Sequence, residues 1–135
     1  MFVVDASVWV SAVWRRDAKH AASESWIDAA LERDLTLFEP TLLLPEVAGA
    51  LSRRTSRPRL AASWLTRLSA IPAIGWRSLD EEEGDRAGRV AAAFAVRGAD
   101  AVYVALAEAL DVPLVTWDRR QADAAGARAL TPETA

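Results

Sequence analysis

Short apolar runs alternate with longer amphipathic stretches along the whole chain. Phe2-Val3-Val4 is a compact apolar run that stops at Asp5, as a buried strand does. Ala6–Trp14 follows as a predicted helix. A second helix is predicted from about Ala18 to Arg33, where Ala22, Trp26, Ile27, Ala30 and Leu31 recur at helical spacing. Leu35-Thr36-Leu37-Phe38 reads as a strand stopped by Pro40. Thr41–Arg54 reads as a helix that tolerates Pro45 in its first turn, and Leu60–Leu68 as another after the turn at Pro58. Ile74–Leu79 is a third predicted strand. Asp80–Val96 is a predicted helix with acids at its start, where they suit the dipole, and Gly98 as its stop. Asp100–Leu110 is a further, very apolar helix. Pro113–Trp117 is a strand, Arg119–Ala125 a short helix closed by Gly126, and Ala127–Leu130 a last strand. Strands alternating with helices imply the α/β class, with a mostly parallel sheet covered on both faces. No repeat or linker interrupts the pattern, so a single domain over residues 1–135 is expected.

Composition narrows the chemistry. The hydrophobic fraction is 52% and the charged fraction 26%, the balance of a globular protein. Cysteine is absent, which excludes thiolate nucleophiles, iron–sulfur clusters and cysteine-type zinc sites. His20 is the only histidine, so a Ser-His-Asp triad would have to rest on it and a zinc site with two His is excluded. Any chemistry therefore falls to the 19 carboxylates. The net charge of −3 gives no bulk steering of a polyanion; only local patches would do that. Apolar runs such as Val90–Val96 and Ala101–Ala107 are far too short to span a membrane. Asp5 interrupts the N-terminal run too early for a signal-peptide core. A cytoplasmic protein with no membrane partner is expected.

Four carboxylates stand in informative places. Asp5 and Asp118 each end a predicted strand and begin a predicted helix. Either suits an N-cap, and both lie where α/β sheets bind ligands, beyond the carboxyl ends of the strands. Glu46 sits among Leu42, Leu43, Gly49 and Ala50 on an apolar stripe, where a carboxylate is rarely buried without a partner. Asp100 opens the most apolar helix, above Tyr103, Val104 and Ala107, and also suits a cap.

Four stretches together carry a family resemblance. They are Val4-Asp5-Ala6-Ser7-Val8, Pro45-Glu46-Val47-Ala48-Gly49-Ala50-Leu51, Gly98-Ala99-Asp100-Ala101-Val102-Tyr103-Val104-Ala105-Leu106-Ala107 and Leu114-Val115-Thr116-Trp117-Asp118. In this order and spacing the chain resembles the PIN domain, specifically the toxin of a VapBC-type toxin–antitoxin pair. The resemblance implies a PIN-like three-layer sandwich, with a twisted parallel sheet and helices on both faces. It carries the family's acids over to Asp5, Glu46, Asp100 and Asp118, and its small hydroxyl positions to Ser7 and Thr116. It also implies RNA as substrate, a homodimer, and a small antitoxin whose chain wraps the toxin and blocks the acidic site. Some members have a further acid after the fourth motif. Here Arg119, Arg120 and Gln121 follow, and Asp123 is not assigned to the site.

If the four acids converge, their mutual repulsion calls for a cation. Oxygen-only ligands suit Mg²⁺ or Mn²⁺, and such an ion also reconciles an acidic cleft with a phosphodiester. The expected activity is a metal-dependent endoribonuclease, the toxin of a type II toxin–antitoxin system, hydrolysing RNA with a metal-activated water. Asp5, Asp100 and Asp118 are the expected metal ligands, direct or through water. Glu46 would orient or deprotonate the water, or complete the metal shell. Ser7 and Thr116 would hydrogen-bond the carboxylates or the phosphate, and Arg119 or its neighbour Arg120 would touch substrate. One alternative is a catalytically silent PIN-like module that binds RNA or protein. Another is an Asp-nucleophile phosphatase, disfavoured because Ser7 occupies the position of a second Asp and Lys19 is the only lysine. Arg53-Arg54-Thr55-Ser56-Arg57-Pro58-Arg59 reads most simply as a solvated helix end and loop. Arg15, Arg16, Lys19 and His20 form a second basic patch, with His20 on the surface. Most of the six Trp are expected in the core.

Overall fold

The computed structural model describes residues 1–135. Five strands form one sheet in the order β3-β2-β1-β4-β5, and every neighbouring pair is parallel. They are β1 (Phe2–Val4), β2 (Leu37–Pro40), β3 (Ile74–Arg77), β4 (Leu114–Val115) and β5 (Ala129–Leu130). Seven helices connect them: α1 (Ala6–Val13), α2 (His20–Glu32), α3 (Leu43–Thr55), α4 (Pro58–Ser69), α5 (Glu81–Phe94), α6 (Gly98–Leu110) and α7 (Arg119–Ala125). A single 3₁₀ turn, Gly126–Arg128, precedes β5. The chain lays strands outward from β1 to β3, then crosses back to add β4 and β5 on the other side. With right-handed crossovers, that reversal puts α1 to α4 on one face and α5 to α7 on the other. The contacts of α1 with α2 and α3, and of α6 with α5 and α7, follow this division. The strand order switches between β1 and β4, the place where such sheets open a crevice.

The core holds 29 buried apolar residues, and α6 supplies an unbroken stretch of it: every residue from Asp100 to Ala107 is buried. A helix apolar on all sides has to lie inside. No single helix is long and apolar enough to cross a membrane.

Several boundaries differ from the sequence pattern. β2 runs two residues later than Leu35–Phe38 and includes Pro40. Pro40 is tolerated because it is the final residue, and the ladder continues through Thr41 N–H to Arg77 O at 2.8 Å. The shift puts Glu39 inside the strand, on the same face as Leu37, and both are fully buried. α4 begins at Pro58, whose fixed φ suits a first helical position. Gly98 does not stop α5. The helix ends at Ala95 in the left-handed region (φ 53°), and Gly98 is the first residue of α6. Asp100 is therefore not a cap, since the cap position belongs to Arg97. β4 is only two residues long. His20 is not a free surface residue: it begins α2, with Nδ1 3.1 Å from Ser11 O and Nε2 3.4 Å from Glu24. Only Trp9 and Trp26 are buried. Trp14, Trp64, Trp76 and Trp117 are half-buried at the core's margin.

Candidate active site

β1 and β4 are adjacent, and Asp5 N–H bonds to Val115 O at 3.0 Å. The two strands therefore deliver Asp5 and Asp118 to the same edge of the sheet, at the switch point. Each carboxylate also caps a helix. Asp5 Oδ2 accepts from Ser7 N–H at 3.0 Å, and Asp118 Oδ1 from the N–H groups of Arg120 and Gln121 at 2.8 and 3.0 Å. Capping and site geometry are thus compatible: the cap fixes each carboxylate at the mouth of a helix N-terminus, where negative charge is favoured.

Asp5 is the most heavily supported of the four. Besides Ser7 N–H it accepts from Thr116 Oγ1 at 3.2 Å and from Gln121 Nε2 at 3.0 Å. Thr116 Oγ1 in turn accepts from Asp118 N–H at 2.9 Å, and so joins the two strand-end acids. Ser7 Oγ takes a different partner: it accepts from Trp117 N–H at 3.1 Å and ties α1 to the segment after β4.

α6 and α3 bring the other two acids. Arg97 chelates Asp100, with Nε 2.8 Å from Oδ2 and a terminal nitrogen 3.2 Å from Oδ1. The same guanidinium lies 3.7 Å from Asp118 Oδ2. Glu46 Oε2 accepts from Tyr103 O–H at 2.6 Å. Burial raises the Glu46 carboxyl above the ordinary carboxylate range; the Tyr103 hydrogen bond opposes the rise, and the charges of Asp5 and Asp100 add to it while Arg97 offsets it. Hydrogen bonding to Asp100 raises Arg97, reinforced by the charges of Asp100, Asp118 and Glu46. Tyr103 is itself pushed up, first by burial and then by Glu46. Asp100 and Asp118 thus share one exposed guanidinium, and Glu46 lies within electrostatic reach of Arg97, Asp5 and Asp100.

The donor set fits a hard divalent ion in a particular way. All the donors are oxygens, and Arg97 stands among them as a counter-charge. No three carboxylates stand close enough together to hold an ion between them as the side chains lie. The fit is therefore to an ion held by one or two carboxylates that keeps several waters, which is how Mg²⁺ is ordinarily bound.

Four residues of this neighbourhood escape the sequence pattern read alone. Gln121 is fully buried and reaches Asp5, with a longer 3.4 Å contact to Asp100 O; its signal is a polar residue in helical phase with the buried Ala124 and Ala125. Arg97 stands three positions before Asp100, an i,i+3 pair. Tyr103, noted only as a neighbour of Asp100, is the partner of Glu46. Glu39 is buried near the end of β2, where its Oε1 accepts from Trp9 Nε1 at 2.8 Å and its Oε2 has no partner. Burial holds the Glu39 carboxyl well above the ordinary range, against the Trp9 hydrogen bond and with help from Asp5. Arg119 is exposed at the start of α7, and the guanidinium among the acids is that of Arg97.

Comparison with known proteins places the fold. A family model described as the PIN domain matches residues 2–127. A search of curated proteins returned no match. Among solved structures, the chain is similar to Mycobacterium tuberculosis VapC20, described as a sarcin-ricin loop cleaving toxin. The TM-score is 0.81 at 15% identity, covering 95% of this chain and 98% of that one. It is also similar to FitAcB from Neisseria gonorrhoeae (TM-score 0.73, 16% identity, 98% and 99% covered). A toxin–antitoxin complex from Klebsiella pneumoniae gives a TM-score of 0.69 at 11% identity, with 98% of each chain covered.

Proposed function

The chain belongs to the PIN domain family, and from that premise we propose that it is a metal-dependent endoribonuclease and the toxin of a toxin–antitoxin pair. The observation that carries this reading is the pairing of Asp100 and Asp118 with one guanidinium, with Glu46 and Asp5 within electrostatic reach, at the switch point of a parallel sheet. Asp5, Asp100 and Asp118 would hold Mg²⁺ or Mn²⁺, directly or through water. Such an ion polarises a phosphoryl oxygen and offsets charge on the leaving oxygen.

The chain's own groups do the rest. Thr116, Gln121 and the Ser7 N–H hold Asp5 in one orientation. Glu46, with Oε2 held by Tyr103 and its carboxyl raised above the ordinary range by burial, takes the proton of the attacking water through Oε1. Arg97 balances the acids at rest and turns outward to meet the scissile phosphate, which its exposed side chain permits. Ser7 and Arg119 remain candidate substrate contacts.

The structural neighbours that are toxin–antitoxin complexes support an antitoxin partner for this chain. A cationic residue of that partner would compete with Arg97 for the acids. A homodimer acting in the cytoplasm completes the proposal.

The test is cleavage of an unstructured RNA with Mg²⁺ or Mn²⁺. The wild type cleaves, chelator abolishes cleavage, and Asp5→Asn with an unchanged circular dichroism spectrum does not cleave. A folded wild type that cuts no RNA with either ion would refute the reading.

A further inference from the structure

α3 carries Glu46 on the same face as Ala50, Arg53 and Arg54, at spacings of four, seven and eight residues. The face therefore runs from the acids to a basic end about 10–12 Å away. Two hollows follow it. One, of about 190 Å³, lies between α1 and α3 and is lined by Ser7, Glu46, Arg53 and Arg54. The next, of about 240 Å³, is lined by Trp14, Arg16, Arg54 and Arg57. Arg54 forms part of both walls, so the hollows are consecutive parts of one groove that begins at the acid cluster.

The groove is built rather than merely rich in arginine. Arg54 is fixed by Asp17 at 2.8 Å and lies 4.8 Å over the Trp14 ring. Arg53 folds back along its helix over Gly49, where a Cβ would come within 3.0 Å of its guanidinium. Arg16, Arg53 and Arg57 form no ion pair, whereas Arg86 and Arg89 on α5 are matched by Glu82, Glu83 and Asp85. A groove with three unmatched guanidinia calls for a polyanion.

We propose that this groove takes the backbone of single-stranded RNA and leads it to the acids, with Arg16, Arg53, Arg54 and Arg57 on its phosphates. The proposal rests on the nuclease reading and names where the strand lies. Trp14 adds an aromatic wall of the kind that single-strand tracks use. Nucleic acid is favoured over an acidic peptide because the groove combines its guanidinia with an aromatic wall at Trp14 and ends at the acids proposed to cleave a phosphodiester.

The experiment measures anisotropy of a labelled oligouridine of about 12 nucleotides, in chelator so that no cleavage occurs, over a range of salt. Removing two phosphate contacts with Arg53→Gln plus Arg57→Gln raises Kd about tenfold near 50 mM salt and lowers the log–log salt slope by about 1.4. Arg86→Gln plus Arg89→Gln, an equal charge change on α5, alters neither. A parent-like Kd and slope in the first double variant overturns the proposal, as does an equal effect in the second. An oligoglutamate that binds as tightly as RNA and loses affinity in step would assign the groove to an acidic protein segment and overturn it too. Cleavage by the wild type is read separately. Intact cleavage with an unchanged slope sinks the groove alone; absent cleavage with the expected slope change sinks the nuclease reading alone.

Discussion

Asp5, just beyond β1, and Glu39, near the end of the adjacent β2, are both buried carboxylates, 6% and 0% exposed, but their surroundings are opposite. Asp5 receives three donors from three parts of the chain: Ser7 N–H, Thr116 Oγ1 and Gln121 Nε2. Glu39 receives one, from Trp9, and its second oxygen is unpartnered. Similar burial therefore has different consequences. The first site holds its carboxylate in a fixed orientation through three donors. The second leaves a carboxyl that is most stable when protonated, because nothing replaces its lost hydration. The number of donors, more than depth, separates the two carboxylates.

Four substitutions sharpen or break this contrast. The largest effect belongs to Asp5→Asn, which lowers RNA cleavage more than about a hundredfold, since loss of a ligand exceeds loss of its support. Glu39→Gln retains cleavage; equal losses in the two variants would erase the distinction. Next is Gln121→Leu, which removes one donor from Asp5. It lowers activity by roughly 10- to 100-fold and stability by about 1–3 kcal/mol, read from cleavage rates and urea unfolding.

Third is the stability of Glu39→Gln against pH. A carboxyl raised in the folded state contributes no penalty below its unfolded value near 4.5. As pH rises above that, the unfolded chain ionises first and stability falls, until the folded group ionises as well. Glu39→Gln removes this fall, so its melting temperature gains on the wild type at pH 8 and not at pH 4. The gain scales at about 1.4 kcal/mol per unit of raised pKa. Glu46 has the same sign and keeps a residual slope in the variant. A parallel pair of stability curves would show that Glu39 is not the group responsible.

The smallest stability effect is that of Arg97→Ala. Its ion pairs are 73% exposed on the arginine side, so stability changes by no more than about 1 kcal/mol. Divalent affinity rises, because the resident counter-charge is gone. A fall in Mn²⁺ affinity would contradict the stand-in role given to this residue.

The parts of the site legible in the sequence were those set by local pattern. Asp5 and Asp118 follow short apolar runs, and parallel pairing of β1 with β4 carries both to one edge. Asp100 heads a helix too apolar to lie anywhere but inside. What stayed hidden depends on contacts between distant segments. Gln121 meets Asp5 across 116 positions, and Tyr103 meets Glu46 across 57. Glu39 was obscured by a strand boundary: Pro40 looked like a stop, yet as a terminal residue it joins β2, and the strand lies two residues further along the chain. Gly98 misled in a similar way, because the left-handed turn fell to Ala95.

On the proposed reading, acids from four separate segments act as one cation site. Mn²⁺ titration followed by electron paramagnetic resonance, on the wild type and on Asp5→Asn, Asp100→Asn and Asp118→Asn, tests it most directly. Saturable binding is expected in the wild type, weakened by about tenfold or more by each substitution. Binding that survives all three unchanged would mean that these carboxylates serve separate ends, and would contradict that reading.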